Sequence, residues 1–375
     1  MEYKRLSDCA SWGKDRTDNI NYESYISTEN MIKDKGGVTI ASSLPDSKTA
    51  SAYRPNDILL SNIRPYFRKI WYADKNGSCS NDVLVVRANE DIDSKFLYYV
   101  LSDNNFFNYD TVTSKGTKMP RGTPTAIMKY LVPDINIGKQ RKIANILSTY
   151  DNLIENNNKR IRLLEGMAES LYKEWFVRFR FPEYENVEFV GTLPIGWQYQ
   201  PISESMDFFD SQRVPLSSMQ RDEMEKIYPY YGAAKLMDYV DDYLFDGEYL
   251  LLGEDGTVVT PDGFPVLQLV NDKFWVNNHA HVIKGKGNIS TRFLYLTFCR
   301  FPITGVVTGS AQPKISKGRL EKLKILVPDS ITMEHFNNLI NPMFDEINVL
   351  KKQLIRITKL RDLLLPRLMS GKLEV

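Results

Sequence analysis

A chain of 375 residues, 42% hydrophobic and 25% charged, is long enough for two or three ordinary cores and has the composition of a soluble globular protein. Its formal net charge of +1 excludes a whole-chain basic excess, so any surface for nucleic acid has to be local. The three scattered cysteines, Cys9, Cys79 and Cys299, exclude a disulfide framework; "MEYKRLSDCASWGKD" lacks a signal-peptide core and no apolar run is long enough to span a bilayer, so a cytoplasmic location and no membrane partner are expected.

In chain order, residues 1–133 carry short apolar runs broken by Gly, Pro, Asn and Asp. "DILLSNI" from Asp57 and "VLVVR" from Val83 read as strands. "RPYFRK" places Arg64, Arg68 and Lys69 beside two aromatics, and "SKFLYYVLS" predicts a helix with Ser94 as N-cap. A Gly-Thr turn follows with Lys115, Thr117, Lys118 and Arg121, then an apolar segment ending in Val132-Pro133-Asp134. There the period changes. Ile143, Leu147, Tyr150, Ile154, Ile161, Leu164, Ala168, Leu171 and Trp175 recur in alternating steps of four and three, with Asn157 as the polar exception. A helix over that span would be ~48 Å long. It runs into "EWFVRFRFP", where Trp175, Phe176, Phe179 and Phe181 interleave with Arg178 and Arg180. That pattern suits stacking on bases or a packed joint; its place at the end of the helical seam favours the joint.

The pattern then returns. "EYLLLG" and "AHVIKG" read as strands, and "TRFLYLTFCRF" as a helix with Thr291 as N-cap. Gly309 and Pro313 repeat Gly116 and Pro120, and Val327-Pro328-Asp329 repeats the earlier Val-Pro-Asp. A second seam follows: Ile340, Met343, Ile347, Leu350, Leu354, Ile357, Leu364 and Leu368, with Arg361 as its polar exception. Pro342 and Pro366 predict a start near Met343 and a break near Pro366. Two helices with matching seams predict an antiparallel intramolecular coiled coil. The expected fold class is α+β: two similar α/β domains, 1–133 and 182–328, separated by long helices in 134–181 and 329–375 and related by a pseudo-twofold.

Catalytic chemistry is sparse. No phosphate-binding loop, G-x-G-x-x-G or Asp/Asn-Pro-Pro-Tyr segment occurs. Asp46-Ser47-Lys48 and Asp93-Ser94-Lys95 resemble nuclease triplets only by chance composition. His279 and His281 lack a third ligand at metal spacing, so they read as a hydrogen-bonded strand pair; no metal site and no catalytic residue are expected. What remains is polar loop chemistry at one point of both repeats. Lys and Arg fix phosphates, whereas Gln, Ser and Thr read base edges. The DNA-binding candidates are Arg64, Arg68, Lys69, Lys115, Thr117, Lys118 and Arg121 in the first half, and Tyr231, Lys235, Thr308, Ser310, Gln312, Lys314 and Lys317 in the second.

Several segments, in this order, resemble the specificity subunit of type I restriction–modification enzymes: "IANILSTYDNLIENNNKRIRLLE" (Ile143–Glu165), "SLYKEWFVRFRFPEYE" (Ser170–Glu185), "LPIGW" (Leu193–Trp197), "YYGAAKLMDYVDDYLFDGEYLLLGEDG" (Tyr230–Gly256), "GSAQPKIS" (Gly309–Ser316) and "LRDLLLPRLMSGKLEV" (Leu360–Val375). The likeness covers essentially the whole chain. It departs before the helices: "VPDINIGKQ" keeps the family's Gln, Gln140, but has Lys139 for its acid, and "VPDSITMEH" has lost the Gln. The resemblance implies that 1–133 and 182–328 are target recognition domains, each reading half of a bipartite site in double-stranded DNA. The helices would set the gap and dock two modification subunits, joined by restriction subunits. S-adenosylmethionine, ATP and Mg²⁺ would belong to those partners, leaving this chain non-catalytic and without a cofactor. A freestanding two-domain DNA-binding regulator and a coiled-coil adaptor that binds no DNA stay open beside it.

Overall fold

The structure, a computed structural model, describes residues 2–309 and 312–373. It divides into two compact units, Met1–Asn156 with Leu354–Val375 and Asn157–Gln353. The two long helices run through that division, so each unit contains part of both.

The first unit is built on a four-stranded antiparallel sheet of β1 (Ala10–Trp12), β2 (Ile58–Ser61), β3 (Ile70–Tyr72) and β4 (Val83–Ala88), in the order β1-β4-β2-β3. All four residues of β2 are buried, because both faces of the sheet are covered. Ile58, Leu60 and Val86 point to a core shared with α1 (Ser94–Ser102), α2 (Asn104–Thr113) and the start of α3 (Ile137–Tyr172). Leu59, Val83 and Val85, one residue out of phase, meet Ile26, Tyr53 and Cys79 of a second small sheet.

The second unit repeats this plan. Strands β5 (Met206–Phe208), β6 (Tyr249–Gly253), β7 (Leu267–Val270) and β8 (Ala280–Gly285) form a sheet in the order β5-β8-β6-β7, with α4 (Thr291–Phe298) packed against it. The registers match: Leu60 faces Leu84 on β4, and Leu252 faces His281 on β8. This places Leu252 opposite Leu60 in the repeat, one residue away from the alignment that "NDILLSNIRP" and "GEYLLLGEDG" suggest.

Both predicted N-caps lie one residue earlier. The Asp93 carboxylate accepts the Phe96 amide at 2.8 Å, and Ser290 Oγ accepts that of Phe293 at 3.1 Å. Asp93, once part of a nuclease-like triplet, is thus a helix cap. Helix α3 starts at Ile137, ahead of the first seam residue, because Asn136 Oδ1 accepts the Lys139 amide. Gln140, 1% exposed, accepts the Asp93 amide at 2.9 Å and donates to the Ile135 carbonyl at 2.8 Å, tying the helix start to α1.

The largest correction concerns the last helix, α5, which spans Ser330–Met369. It neither waits for Met343 nor breaks at Pro366. Both Pro342 and Pro366 are solvent-exposed inside it, so each forfeits one amide bond without disturbing the packed face. Its start is fixed by Asp329, whose Oδ1 accepts the Ile331 and Thr332 amides, both at 3.0 Å.

In the first unit Leu147 is fully buried, and Tyr150, Ile154, Leu354, Ile357 and Leu364 are half-buried. Arg361, the polar exception of α5, donates to Asp151 of α3 at 2.8 Å, and the Tyr99 hydroxyl donates to the same carboxylate at 2.6 Å. In the second unit Ile161, Ile347 and Leu350 are buried, and Leu164 and Leu171 half-buried. Asn157, 5% exposed, donates to Gln353 Oε1 at 3.1 Å, while Arg160 pairs with Glu346 and Tyr172 meets Phe336. Partners fall in number on one helix as they rise on the other, so the helices are antiparallel. "EWFVRFRFP" is the joint at the end of α3. Phe176 lies 4.7 Å from Phe336 and 5.2 Å from Phe293, and Phe181 lies 5.0 Å from Trp197. Arg178 and Arg180 both pair with Glu174. The Trp197 indole of "LPIGW" donates to Asp329 at 3.1 Å, joining that motif to the cap of α5.

Candidate nucleic-acid interface

In each unit the chain leaves its central strand into a turn that is bonded to the Gly-x-x-x-Pro loop. In the first, the Arg64 amide donates to the Pro120 carbonyl at 2.7 Å, Gly122 to Asn62 at 2.9 Å, and Asn62 to Asp82 at 2.8 Å. In the second, Gly256 donates to Pro313 at 3.0 Å, Ile315 to Glu254 at 2.7 Å, and Glu254 to His279 at 2.8 Å. One backbone frame is therefore built twice. Its loop needs glycine at the same point: Gly116 and Gly309 have φ of 96° and 82°, and a Cβ on Gly309 would come within 2.4 Å of the Gln312 carbonyl. Beyond the shared glycine and proline, the side chains on the two frames differ.

On the first frame Lys115, Thr117, Lys118 and Arg121 are exposed, and Arg121 lies 3.3 Å from Asp82. The fold brings "RPYFRK" against this loop. Arg64 and Arg68 both take left-handed backbone, φ 50° and 51°, on either side of the turn Pro65–Phe67; such conformations are costly for residues with a Cβ and concentrate at functional sites. Lys33 Nζ stands 4.4 Å from the Phe67 ring centroid, with Arg64 and Lys69 at 5.9 Å. Lys33 carries no motif and was invisible in the sequence. Not every predicted cation faces outward. Arg68 pairs with Asp34, and Lys69 donates to the Thr28 carbonyl; burial, with repulsion from Lys33, lowers the affinity of Lys69 for its proton.

Beneath this frame Asp110 is fully buried and its two carboxylate oxygens have no protein hydrogen bond; Asn62 Oδ1 and Arg64 Nε are likewise unpaired. Burial pushes the Asp110 carboxyl up to about 7. A Cβ on Gly122 would come within 2.6 Å of Asp110 Oδ1, so glycine is required where the loop crosses the carboxyl.

On the second frame Gln312 is exposed, Lys314 Nζ lies 3.3 Å from Glu254, and Thr308 Oγ1 donates to the Lys314 carbonyl at 3.2 Å. Lys317 Nζ stands 4.9 Å from the Phe208 ring centroid. Ser310 lies outside the described residues. Lys235 is exposed in a turn beside Gly253, whereas the Tyr231 ring is half-buried against Phe274 at 5.9 Å and belongs to the core.

The histidines of "HAHV" separate in role. His279 pairs with Asp255 at the surface. His281 is 1% exposed, with Nδ1 2.6 Å from Asp210 Oδ2 and Nε2 2.8 Å from the Ile315 carbonyl. The fold thus supplies what sequence spacing did not: ligand atoms of Asp210, Glu254 and His281 lie within 4.8 Å of one another. The carboxylates are already matched by cations of the chain. Arg213 donates to Glu254 at 2.7 Å and lies 3.8 Å from Asp210, and Lys314 completes the network. Burial works against ionisation of Asp210, but bonds from His281 and the Val282 amide and the charge of Arg213 outweigh it and hold the carboxyl below its ordinary range.

A duplicated frame with loops of different polarity is the plan of a two-module recognition protein. The family described as "Type I restriction modification DNA specificity domain" matches residues 9–166 and again 194–348. The chain belongs to this family, as a specificity subunit and not a catalytic one. It is 28% identical over 304 residues to the type I restriction enzyme MjaIX specificity subunit of Methanocaldococcus jannaschii, covering 75% of this chain and 69% of that one. The MjaVIII specificity subunit of the same organism is 22% identical, covering 85% and 80%. The crystal structure of a type I restriction–modification S subunit from M. genitalium shares the fold with a TM-score of 0.63 at 16% identity, over 98% of this chain and 96% of that one. No helix among the described residues is long and apolar enough to cross a membrane.

Proposed function

We propose that the chain reads a bipartite site in double-stranded DNA, one unit to each half-site, through the paired turn and loop of each frame. The observation that carries this is the frame itself: the same backbone bonds present Asn62-Ile63-Arg64 with a Lys-rich loop in one unit, and Glu254-Asp255-Gly256 with Gln312 and Lys314 in the other. A constant scaffold with different polar tips suits two modules that read different bases. Lys115, Lys118 and Arg121 contact phosphates in this reading, and Gln312 reads a base edge. The antiparallel helices set the gap; 36 residues of α3 correspond to ~54 Å, enough to span the ~34 Å repeat of the major groove. Their exposed apolar residues, among them Leu153, Ile355 and Leu363 in the first unit and Leu163, Met167 and Val349 in the second, offer docking for modification subunits, with restriction subunits joining that assembly. S-adenosylmethionine, ATP and Mg²⁺ are assigned to those partners, and the cytoplasm to the complex.

Gln312→Ala tests the reading. In competition binding by the chain with its modification subunit, discrimination at one base pair of the second half-site should fall about tenfold, a loss of ~1–3 kcal/mol for one polar base contact. The first half-site should be read as before. Unchanged discrimination at every position would remove Gln312 from the interface.

A further inference from the structure

Resting on that reading of the second loop, we infer that His281 is a positioning residue for the second half-site: through Ile315 it clamps the loop that carries Gln312 and Lys314. The side chain lies in the sheet, on β8, away from solvent. Its Nε2 faces the Ile315 carbonyl at 2.8 Å and its Nδ1 faces Asp210 Oδ2 at 2.6 Å. A carbonyl only accepts, and so does the Asp210 carboxylate, whose other oxygen already takes the Val282 amide at 2.9 Å. The bond at Nε2 therefore needs an N–H on that nitrogen, donated to the Ile315 carbonyl, with Nδ1 held against Asp210. The charges facing it are Asp210, Glu254 (3.7 Å from Nδ1), Arg213 and Lys314.

Ile315 is itself fully buried. Its amide is held by the Glu254 carbonyl at 2.7 Å and its carbonyl by His281. The segment Pro313–Ile315 is therefore fixed on both sides, and Gln312 leaves it at a set point. Without the imidazole donor the Ile315 carbonyl is a buried acceptor with no partner, and the segment must shift to find one.

The first unit shows that this clamp is an addition to the frame. At the same register, facing Leu60 as His281 faces Leu252, β4 carries Leu84. The loop there crosses above Asp110 instead, with glycine, Gly122, at the place of Ile315. A leucine is therefore compatible with the fold at this register, and the histidine is particular to the second reader.

The test uses the full chain with its modification subunit and competing duplexes, each with one base pair changed in the first or second half-site. His281→Leu removes both ring nitrogens, His281→Asn keeps a nitrogen near the position of Nδ1 for Asp210, and His281→Gln keeps one near that of Nε2 for Ile315. Discrimination at the second half-site should fall about tenfold, ~1.4 kcal/mol, in His281→Leu and His281→Asn, and return towards the native level in His281→Gln. The first half-site should stay within about twofold in all three. A general loss of stability would not follow the nitrogen that reaches Ile315. Native discrimination in His281→Asn, equal losses at both half-sites, or no rescue by His281→Gln would overturn the inference while leaving the two-reader account intact. If the native complex itself prefers no bipartite site, the account and the inference fall together. Should His281→Leu not accumulate, the Asn and Gln variants decide the matter alone.

Discussion

Asp110 is a carboxyl whose environment runs opposite to the usual surface pair. Its folded value of about 7 lies above the ordinary 3.8, so below about pH 4 both folded and unfolded chains hold the proton. As pH climbs from 4 to 7 the unfolded chain releases it first, and stability falls by up to ~1.4 kcal/mol per pH unit before levelling off. Asp110→Asn removes this loss and offers a donor to Asn62 Oδ1. Urea unfolding read by hydrogen exchange in the first unit should show the variant more stable by roughly 4 kcal/mol at pH 8, about three pH units at ~1.4 kcal/mol each, with little difference at pH 4; a pH-independent difference would contradict the assignment. Such residues were hard to read in the sequence. In "NNFFNYDTVT" Asp110 has the pattern of any polar helix residue, and His281 in "HAHV" looks like half of a strand pair. Both acquire their chemistry from loops distant in the chain, Asn62 and Gly122 for one, Asp210 and Ile315 for the other. The Gly-x-x-x-Pro loops were legible because their glycines and prolines act locally, through φ and a missing donor.

Elements were legible where their signal is periodic. The two seams appear in the sequence because burial against one partner repeats every three or four residues for many turns. The start of α5 did not, since Pro342 is a strong local signal that a long packed face overrides, and Asp329 was taken up in the Val-Pro-Asp motif. Asp329 accepts four bonds: from two amides of α5, from the Thr332 hydroxyl at 2.6 Å, and from the Trp197 indole at 3.1 Å. Burial resists its ionisation, yet the bonds from Thr332, Trp197 and the Ile331 amide prevail and hold its carboxyl below the ordinary range. Asp329→Ala should cost about 1–2 kcal/mol in urea unfolding of the second unit, whereas Asp329→Asn, which still caps, should cost less. Equal losses would mean that the cap contributes nothing.

For the whole molecule, duplication explains most of what the sequence disclosed and also why the target bases stay hidden. The frame is backbone and recurs, so it can be found by comparing the chain with itself. The tips proposed to meet bases are the part in which the two units differ, and they obey no period. A near-neutral chain also fits a subunit that shares its DNA with partners, since phosphate contacts can be supplied by the assembly. The measurement that bears most directly on the two-reader account is the methylome of cells carrying this chain with its modification subunit. The account predicts one methylated motif made of two specified half-sites separated by a fixed, unspecified gap. A single contiguous motif, or methylation that does not depend on the chain, would contradict it.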